Sequence, residues 1–151
     1  MIHTFLLKSG QWTLQGFWHE PNLSPIAIEG TVDILWSQPN WFTWRTTFQF
    51  KDREESSPVI LTYRGYLSYQ QRQYTFVLKH NLLGNLEGNG WTTPAWIIQR
   101  YWVLNDRKRR QGFETLYQEA ENTYRFCSAL SEGHQIKTTV EARLSRCSSS
   151  N

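Results

Sequence analysis

Hydrophobic and polar residues alternate along most of this chain, which is the pattern of β-strands that bury one face. In residues 26–36 the apolar side chains fall on every second position, and polar side chains such as Glu29 and Asp33 fall between them. Residues 42–50 repeat this pattern, and a turn-forming sequence at 37–40 separates the two runs. Residues 26–50 are therefore predicted to form a β-hairpin.

The same alternation predicts further strands along the chain. It runs through residues 59–69 and 74–81, and it returns in residues 124–145 around a glycine-containing turn at 131–134, which indicates another hairpin. Residues 95–104 are apolar at both odd and even positions, as expected of a strand that is buried on both faces.

Two segments fit the pattern less well. The glycine-rich segment 84–90 lacks the Gly-Lys-Ser/Thr ending of a phosphate-binding loop, so it is predicted to be a flexible hairpin or a bulged, twisted strand. Residues 115–122 are predicted to form a helical turn, which is too short to set the fold class.

Nine or ten strands joined by short turns indicate an antiparallel meander. A sheet of that many strands curls and closes, because closure removes its edges and lets one face form the core. The predicted fold class is all-β, an antiparallel up-and-down β-barrel of nine or ten strands, with a β-sandwich as the alternative. Residues 1–151 are predicted to form a single domain, with a disordered tail at about 147–151.

The composition adds one unusual feature, which is its aromatic content. Phe, Trp and Tyr make up 15% of the chain, and eight residues are tryptophan. In a β-rich domain, this predicts either a large aromatic core or an aromatic-lined pocket. The net charge of +3 is only mildly basic and does not favour a nucleic-acid partner.

The compartment is predicted from what the sequence lacks. No segment reaches the roughly 18 apolar residues of a membrane span, and the first residues do not have the pattern of a signal peptide. The two cysteines, Cys127 and Cys147, suggest neither a disulfide framework nor a metal-binding spacing. We therefore expect a cytoplasmic protein with reduced thiols and no membrane partner.

Six tryptophans are candidates for the wall of a ligand pocket, although most individual aromatic residues in a small barrel are expected to belong to its core. Aromatic walls suit flat conjugated or lipid-like molecules that are held by apolar burial. The six candidates are Trp18, Trp36, Trp44, Trp91, Trp96 and Trp102.

Arginines within the predicted strands are the second candidate group. An arginine inside a barrel needs a carboxylate or phosphate partner, which a ligand with an acid group would provide. The alternation favours the outer face for Arg45, Arg125 and Arg143. Arg64 and Arg100 lie in strands with apolar residues on both faces, so these two are predicted to hold the acid group of a ligand.

A basic run is predicted at a hairpin tip. It is either a solvated turn or a docking patch for an acidic protein or for nucleic acid. The run consists of Arg107, Lys108, Arg109 and Arg110.

Catalytic and metal-binding patterns are missing from the sequence. The four histidines are scattered without metal-ligand spacing, and no nucleophile motif occurs. Glu114, Glu119 and Glu121 are close in sequence, but spacing alone does not bring carboxyl groups together in space. No catalytic or metal-binding residue is assigned.

The start of the chain carries a resemblance to a known family. Residues 9–12 read Ser-Gly-Gln-Trp and open the first predicted strand, and an antiparallel meander follows over most of the chain. In these respects the chain resembles the calycin barrels, which include the lipocalins and the fatty-acid-binding proteins. The resemblance implies that Trp12 packs across the closed end of a barrel, under a basic residue of the last strand, Arg143 or Arg146.

The chain departs from these relatives at two places. The second lipocalin motif, of the Thr-Asp-Tyr type, is missing, and residues 20–25 are too short for the helical lid of fatty-acid-binding proteins. The Ser-x-x-Trp start and the arginine-rich last third are also similar to the S-type phycobiliprotein lyases, which bind bilins and transfer them to acceptor cysteines.

These observations predict a cytoplasmic barrel that binds a hydrophobic, carboxylate-bearing small molecule, either a lipid or a tetrapyrrole such as a bilin. It would act as a carrier or as a lyase-like chaperone of the chromophore, and no cofactor other than such a ligand is predicted. The alternative is a non-catalytic protein-interaction module with a packed barrel, and a weaker alternative is single-stranded nucleic-acid binding. The space inside the barrel distinguishes the first two, because a packed barrel without a pocket of about 300 Å³ or more would exclude the carrier hypothesis and favour the interaction module.

Overall fold

The alternating segments form ten β-strands in the computed structural model, which describes residues 2–53 and 56–148. The strands are β1 (Gly10–His19), β2 (Ile26–Gln38), β3 (Trp41–Phe50), β4 (Val59–Tyr66), β5 (Gln73–His80), β6 (Gly84–Thr92), β7 (Trp96–Val103), β8 (Arg110–Ala120), β9 (Thr123–Glu132) and β10 (Gln135–Arg146).

The ten strands form one closed barrel. Each strand pairs antiparallel with the next one in the chain, and β1 also pairs with β10, so no edge is left open. The predicted all-β, up-and-down barrel is confirmed, and its strand count is ten. The described part of the chain contains no helix that is long and apolar enough to cross a membrane. Of the tail predicted at about 147–151, residues 149–151 lie outside the described residues, and the Cys147 amide donates a hydrogen bond of 2.8 Å to the carbonyl of Gln11.

Successive side chains point alternately into the barrel and out to solvent. In β7, Ile97, Gln99 and Tyr101 are buried, whereas Trp96 and Arg100, which point to the opposite face, are exposed. The prediction that residues 95–104 are buried on both faces is therefore wrong. A barrel is a single curved sheet, and nothing in the described residues covers its outer side here.

Two other local predictions are corrected. Residues 115–122 form no helical turn, because β8 continues to Ala120 and buries Leu116 and Gln118 inside the barrel. The glycine-rich segment 84–90 forms strand β6, as one of its two predicted alternatives states, but it is not bulged, because its register with β5 is regular. Gly88 and Gly90 make room inside the barrel, since a Cβ at Gly90 would lie 2.1 Å from the ring of Tyr74.

The N-terminal segment closes one end of the barrel. Phe5 of this segment is fully buried, with its ring centroid 5.2 Å from that of Trp12 and 5.0 Å from that of Trp44. Trp36 fixes the segment from the side, because its indole N–H donates a hydrogen bond of 2.8 Å to the carbonyl of Leu6. This end is therefore filled by a dense aromatic core.

Arg146 covers the same end. Its guanidinium lies 5.7 Å from the ring of Trp12 and donates hydrogen bonds of 2.9 Å to the carbonyls of Thr4 and Ser9. This is the arrangement that the calycin resemblance implies, and Arg146 rather than Arg143 provides it. The Arg143 side chain lies outside, 3.6 Å from the carboxylate of Glu119.

We expect Arg146→Met to loosen this closed end. The change removes two charge-assisted hydrogen bonds and the contact with Trp12, which together should lower the free energy of unfolding by about 1–3 kcal/mol. Amide exchange in residues 3–8 should become faster, as measured by hydrogen–deuterium exchange. Arg143→Met is the matched control, because an exposed ion pair contributes less than about 1 kcal/mol. Equal effects of the two substitutions would contradict the role given to Arg146.

Candidate functional site

A buried polar cluster lies in the middle of the barrel. The carboxyl group of Glu114 on β8 accepts hydrogen bonds from the hydroxyl of Tyr63 on β4 (2.6 Å) and from the amide of Gln99 on β7 (2.8 Å). Tyr74 on β5 donates a further hydrogen bond of 2.7 Å to the Gln99 carbonyl oxygen. Four strands therefore contribute to one network around a carboxyl group that is only 2% exposed.

Burial controls the protonation of this cluster. It raises the pKa of Glu114 to about 7, although the hydrogen bonds from Tyr63 and Gln99 favour the ionised form. Burial and the neighbouring Glu114 also raise the pKa of Tyr63 well above its ordinary value, so Tyr63 stays a neutral donor. Near neutral pH, Glu114 therefore exists in both protonation states.

One carboxyl oxygen of Glu114 is left for another partner. Both hydrogen bonds end on Oε1, and within the described residues no hydrogen bond to Oε2 is found. Glu114 also lines a cavity, so Oε2 is the oxygen available to a molecule that enters it. The cluster can accept a hydrogen bond when Glu114 is ionised and donate one when it is protonated.

The cavity lies between Glu114 and the end of the barrel opposite the N-terminal segment. Its volume is about 60 Å³, and its wall is mainly apolar, with Trp18, Phe48, Leu83 and Leu130 among the lining residues. No lysine or arginine lines it among the residues that the structure describes. The interior is thus largely packed, with a small apolar space above one carboxyl group.

Among the described residues that line this cavity, His80 is the side chain that could carry a positive charge. Burial lowers its pKa to about 4, and its Nδ1 accepts a hydrogen bond of 3.1 Å from the amide of Leu82. His80 is therefore neutral at physiological pH and adds no positive charge. Within residues 2–53 and 56–148, no group of three His, Cys, Asp or Glu side chains is placed to hold a metal ion.

The structure separates the predicted tryptophans into two groups. Trp18, Trp36 and Trp44 lie inside, but only Trp18 lines the cavity. Trp36 and Trp44 belong to the aromatic core near the closed end, where the Trp44 indole stacks on Tyr63 with centroids 4.7 Å apart. Trp91 and Trp96 lie on the outer face, 46% and 41% exposed.

The predicted arginines also lie outside the barrel. Arg64 and Arg100 are exposed, and each guanidinium lies over a tryptophan ring, 5.5 Å from Trp41 and 5.6 Å from Trp102 respectively. Arg64, Trp91, Arg100 and Trp102 therefore line clefts of the outer face rather than the interior. No predicted arginine reaches the cavity.

The basic run forms part of the turn between β7 and β8. The Asp106 carboxylate accepts hydrogen bonds from the backbone N–H and the side chain of Arg110, with 2.9 Å between Oδ2 and Nε. These hydrogen bonds lower the pKa of Asp106 to about 2. Arg107, Lys108 and Arg109 are exposed at the tip. The turn is thus ordered by its own ion pair, with three cations facing solvent. Cys127 and Cys147 are free thiols.

The sequence patterns missed the buried cluster. Glu114 has the same parity in β8 as Gly112 and Leu116, and this parity faces inside, but Phe113 and Tyr117 on the other parity looked more suitable for a core. The one sequence feature that could have indicated the buried cluster was a carboxyl group on the same strand face as Leu116. Which strands supply its partners depends on closure of the barrel, which alternation does not encode.

Comparison with known proteins supports the fold alone. No family model matches this chain, and no curated protein matches it. Among solved structures, it is similar to the crystal structure of Rv2717c from M. tuberculosis, with a TM-score of 0.71 over 92% of each chain. The two sequences are 13% identical, so the similarity shows that they share a β-barrel fold.

Proposed function

We propose that the barrel binds a small hydrophobic molecule through its open end, with Glu114 contacting the polar group of that molecule. The observation that supports this is the asymmetry of the interior. One end is filled by the N-terminal segment, Trp12 and Arg146, whereas an apolar cavity at the other end leads to the unpaired oxygen of a buried carboxyl group. A few polar groups in an apolar cavity are typical of ligand sites.

The protonation of Glu114 decides which polar group fits. An ionised Glu114 attracts an amine and repels a carboxylate, whereas the protonated form can donate a hydrogen bond to a carboxylate. A carboxylate ligand inside the barrel would depend on protonated Glu114, because the described lining holds no arginine or lysine. A compact amine or alcohol needs neither a cationic lining residue nor a protonated Glu114.

The lipid and tetrapyrrole hypotheses are finer versions of this proposal. Membership of the calycin superfamily, a cytoplasmic location, and a role as carrier or as a bilin lyase-like chaperone belong with them. A cavity of about 60 Å³ is smaller than the roughly 300 Å³ of ordinary ligand sites, so by volume alone the interior favours a packed barrel over a lipid or tetrapyrrole carrier. Such ligands would therefore have to displace side chains at the open end, among them Trp18, Leu83 and Leu130.

Calorimetric titration with three molecules of equal chain length tests the proposal. Hexylamine, hexanol and hexanoate are titrated into the wild type, Glu114→Gln and the exposed-carboxylate control Glu87→Gln at about pH 6 and pH 8, on either side of the Glu114 pKa. At pH 8 the amine should bind about tenfold more tightly than at pH 6, and the carboxylate about tenfold more weakly, whereas the affinity for hexanol should stay unchanged. Palmitate and biliverdin test the lipid and tetrapyrrole versions.

The variants make the outcome specific to the interior. Glu114→Gln should remove the pH dependence for both charged probes, and Glu87→Gln should keep it, because Glu87 lies on the outer face. Failure of every probe to bind, or equal behaviour of the two variants, would overturn the proposal. A higher affinity for hexanoate than for hexylamine would support a carboxylate-bearing ligand, and a higher affinity for hexylamine would exclude one.

A further inference from the structure

The outer surface of β3–β8 carries two adjoining clefts with aromatic walls. One has a volume of about 550 Å³ and is flanked by Trp91 and Phe113, and the other has a volume of about 500 Å³ and is flanked by Trp41 and Trp102. The two clefts share Tyr66, Thr75 and Asn89. We call the two clefts together the outer trough.

Strand register explains why the trough forms here. Tyr66, Thr75, Asn89, Arg100 and Phe113 are neighbours in one row across five adjacent strands. Thr75 and Asn89, in the middle of the row, are much smaller than the side chains at either end. The floor is therefore low and polar, and flat rings stand along its margins.

The trough carries a small excess of positive charge. Its charged lining residues are Arg64, Arg100 and Glu87, and two further cations, Arg45 and Lys79, lie at other outer positions of β3 and β5. Among the residues that the structure describes, Arg64 and Arg100 form no ion pair. Their guanidinium groups lie over tryptophan rings, which leaves their N–H donors available for an anion.

The turn between β7 and β8 adds positive charge beside the trough. Trp102 lines the outer trough and also a cleft at the turn between β7 and β8, where Arg109 is another lining residue. The exposed cations of the turn therefore lie next to the end of the trough. A ligand that extends from the trough along this surface would meet further positive charge.

We propose that the outer trough binds single-stranded nucleic acid, with unpaired bases stacked on its aromatic side chains and phosphates held by Arg64, Arg100 and the basic turn. Exposed aromatic rings beside arginines are the means by which proteins hold single strands without reading their sequence. A duplex fits less well, because its bases are already stacked on each other. An acidic polypeptide would satisfy the charge but would leave the flat margins without stacking partners.

Fluorescence anisotropy with labelled oligothymidylate and oligouridylate of about 12 nucleotides tests this proposal. Trp91→Ala should weaken binding by about fivefold to 100-fold, because one base loses its stacking partner. Arg100→Gln should weaken binding and lower the slope of log affinity against log salt by about one, measured between about 50 and 200 mM salt.

Two controls separate the trough from the rest of the surface. Phe17→Ala removes an aromatic side chain that is 45% exposed on β1, and Lys137→Gln removes an exposed cation on β10. Both should keep wild-type affinity. Polyglutamate and an abasic oligonucleotide of equal length should bind more weakly than oligothymidylate. Absence of oligonucleotide binding, equal losses in the control variants, or equal binding of polyglutamate would overturn the proposal, and the last result would indicate an acidic protein partner.

Discussion

Replacing Trp44 with alanine should lower the free energy of unfolding by about 3–5 kcal/mol, which is the usual cost of removing a buried aromatic side chain. Trp44 is 2% exposed and contacts Phe5 and Tyr63 with its ring. Its indole N–H also donates a hydrogen bond of 3.0 Å to the hydroxyl of Thr46. The substitution therefore leaves a cavity in the aromatic core and an unpaired hydroxyl beside it. Urea denaturation followed by circular dichroism measures the change.

Trp91→Ala is the matched control for this prediction. Trp91 lies on the outer face with 46% of its surface exposed, so its loss should change the free energy of unfolding by less than about 1 kcal/mol. If Trp44→Ala does not fold, Trp44→Phe keeps a ring at the same site and should give a smaller but measurable loss. Equal costs for Trp44 and Trp91 would contradict their assignment to core and surface.

The second large effect concerns the pH dependence of stability. The unfolded pKa of Glu114 is near 4.5, whereas burial raises the folded value to about 7. Between these values the folded state holds a proton that the unfolded state has lost, so this group makes stability fall as pH rises. The stabilisation is present below about pH 4.5 and is lost above pH 7, with a size of about 3 kcal/mol.

Glu114→Gln isolates this contribution, because glutamine keeps the hydrogen-bond acceptor for Tyr63 and Gln99 without a titrating proton. His80 acts in the opposite direction, since its lowered pKa makes stability rise with pH between about 4 and 6.5. The difference between wild type and variant cancels the effect of His80. We expect Glu114→Gln to gain about 3 kcal/mol relative to wild type between about pH 5 and 9, measured by urea denaturation. A constant difference across this range would contradict the pKa of Glu114.

Alternation along the chain was sufficient to predict the fold but not the site. The hairpin of β2 and β3 was clear because its apolar residues share one parity and turn residues separate the strands. In β7 and β8 both parities carry large apolar side chains, so the inner face was ambiguous. The structure places Gln99 and Glu114 inside and Arg100 and Phe113 outside.

The sequence alone could not show which side chains meet in the buried cluster. Tyr63 and Glu114 lie on β4 and β8, which are not neighbours, and their hydrogen bond crosses the interior of the barrel. The number of strands and their stagger decide which side chains meet across such an interior. A residue pattern of period two contains neither quantity. By contrast, a contact between Trp12 and a basic residue of the last strand could be predicted, because the calycin resemblance implies it.

The proposed function depends on Glu114 as a buried, titrating carboxyl group that a ligand reaches through the open end of the barrel. Carbon-13 NMR of the Glu114 side-chain carboxyl, titrated with and without saturating hexylamine, tests it most directly. We expect a pKa of about 7 for Glu114 in the free protein and a clear decrease when the amine is bound, because the cation favours the ionised form. A free-protein pKa near 4.5, or a pKa that bound hexylamine leaves unchanged, would contradict it.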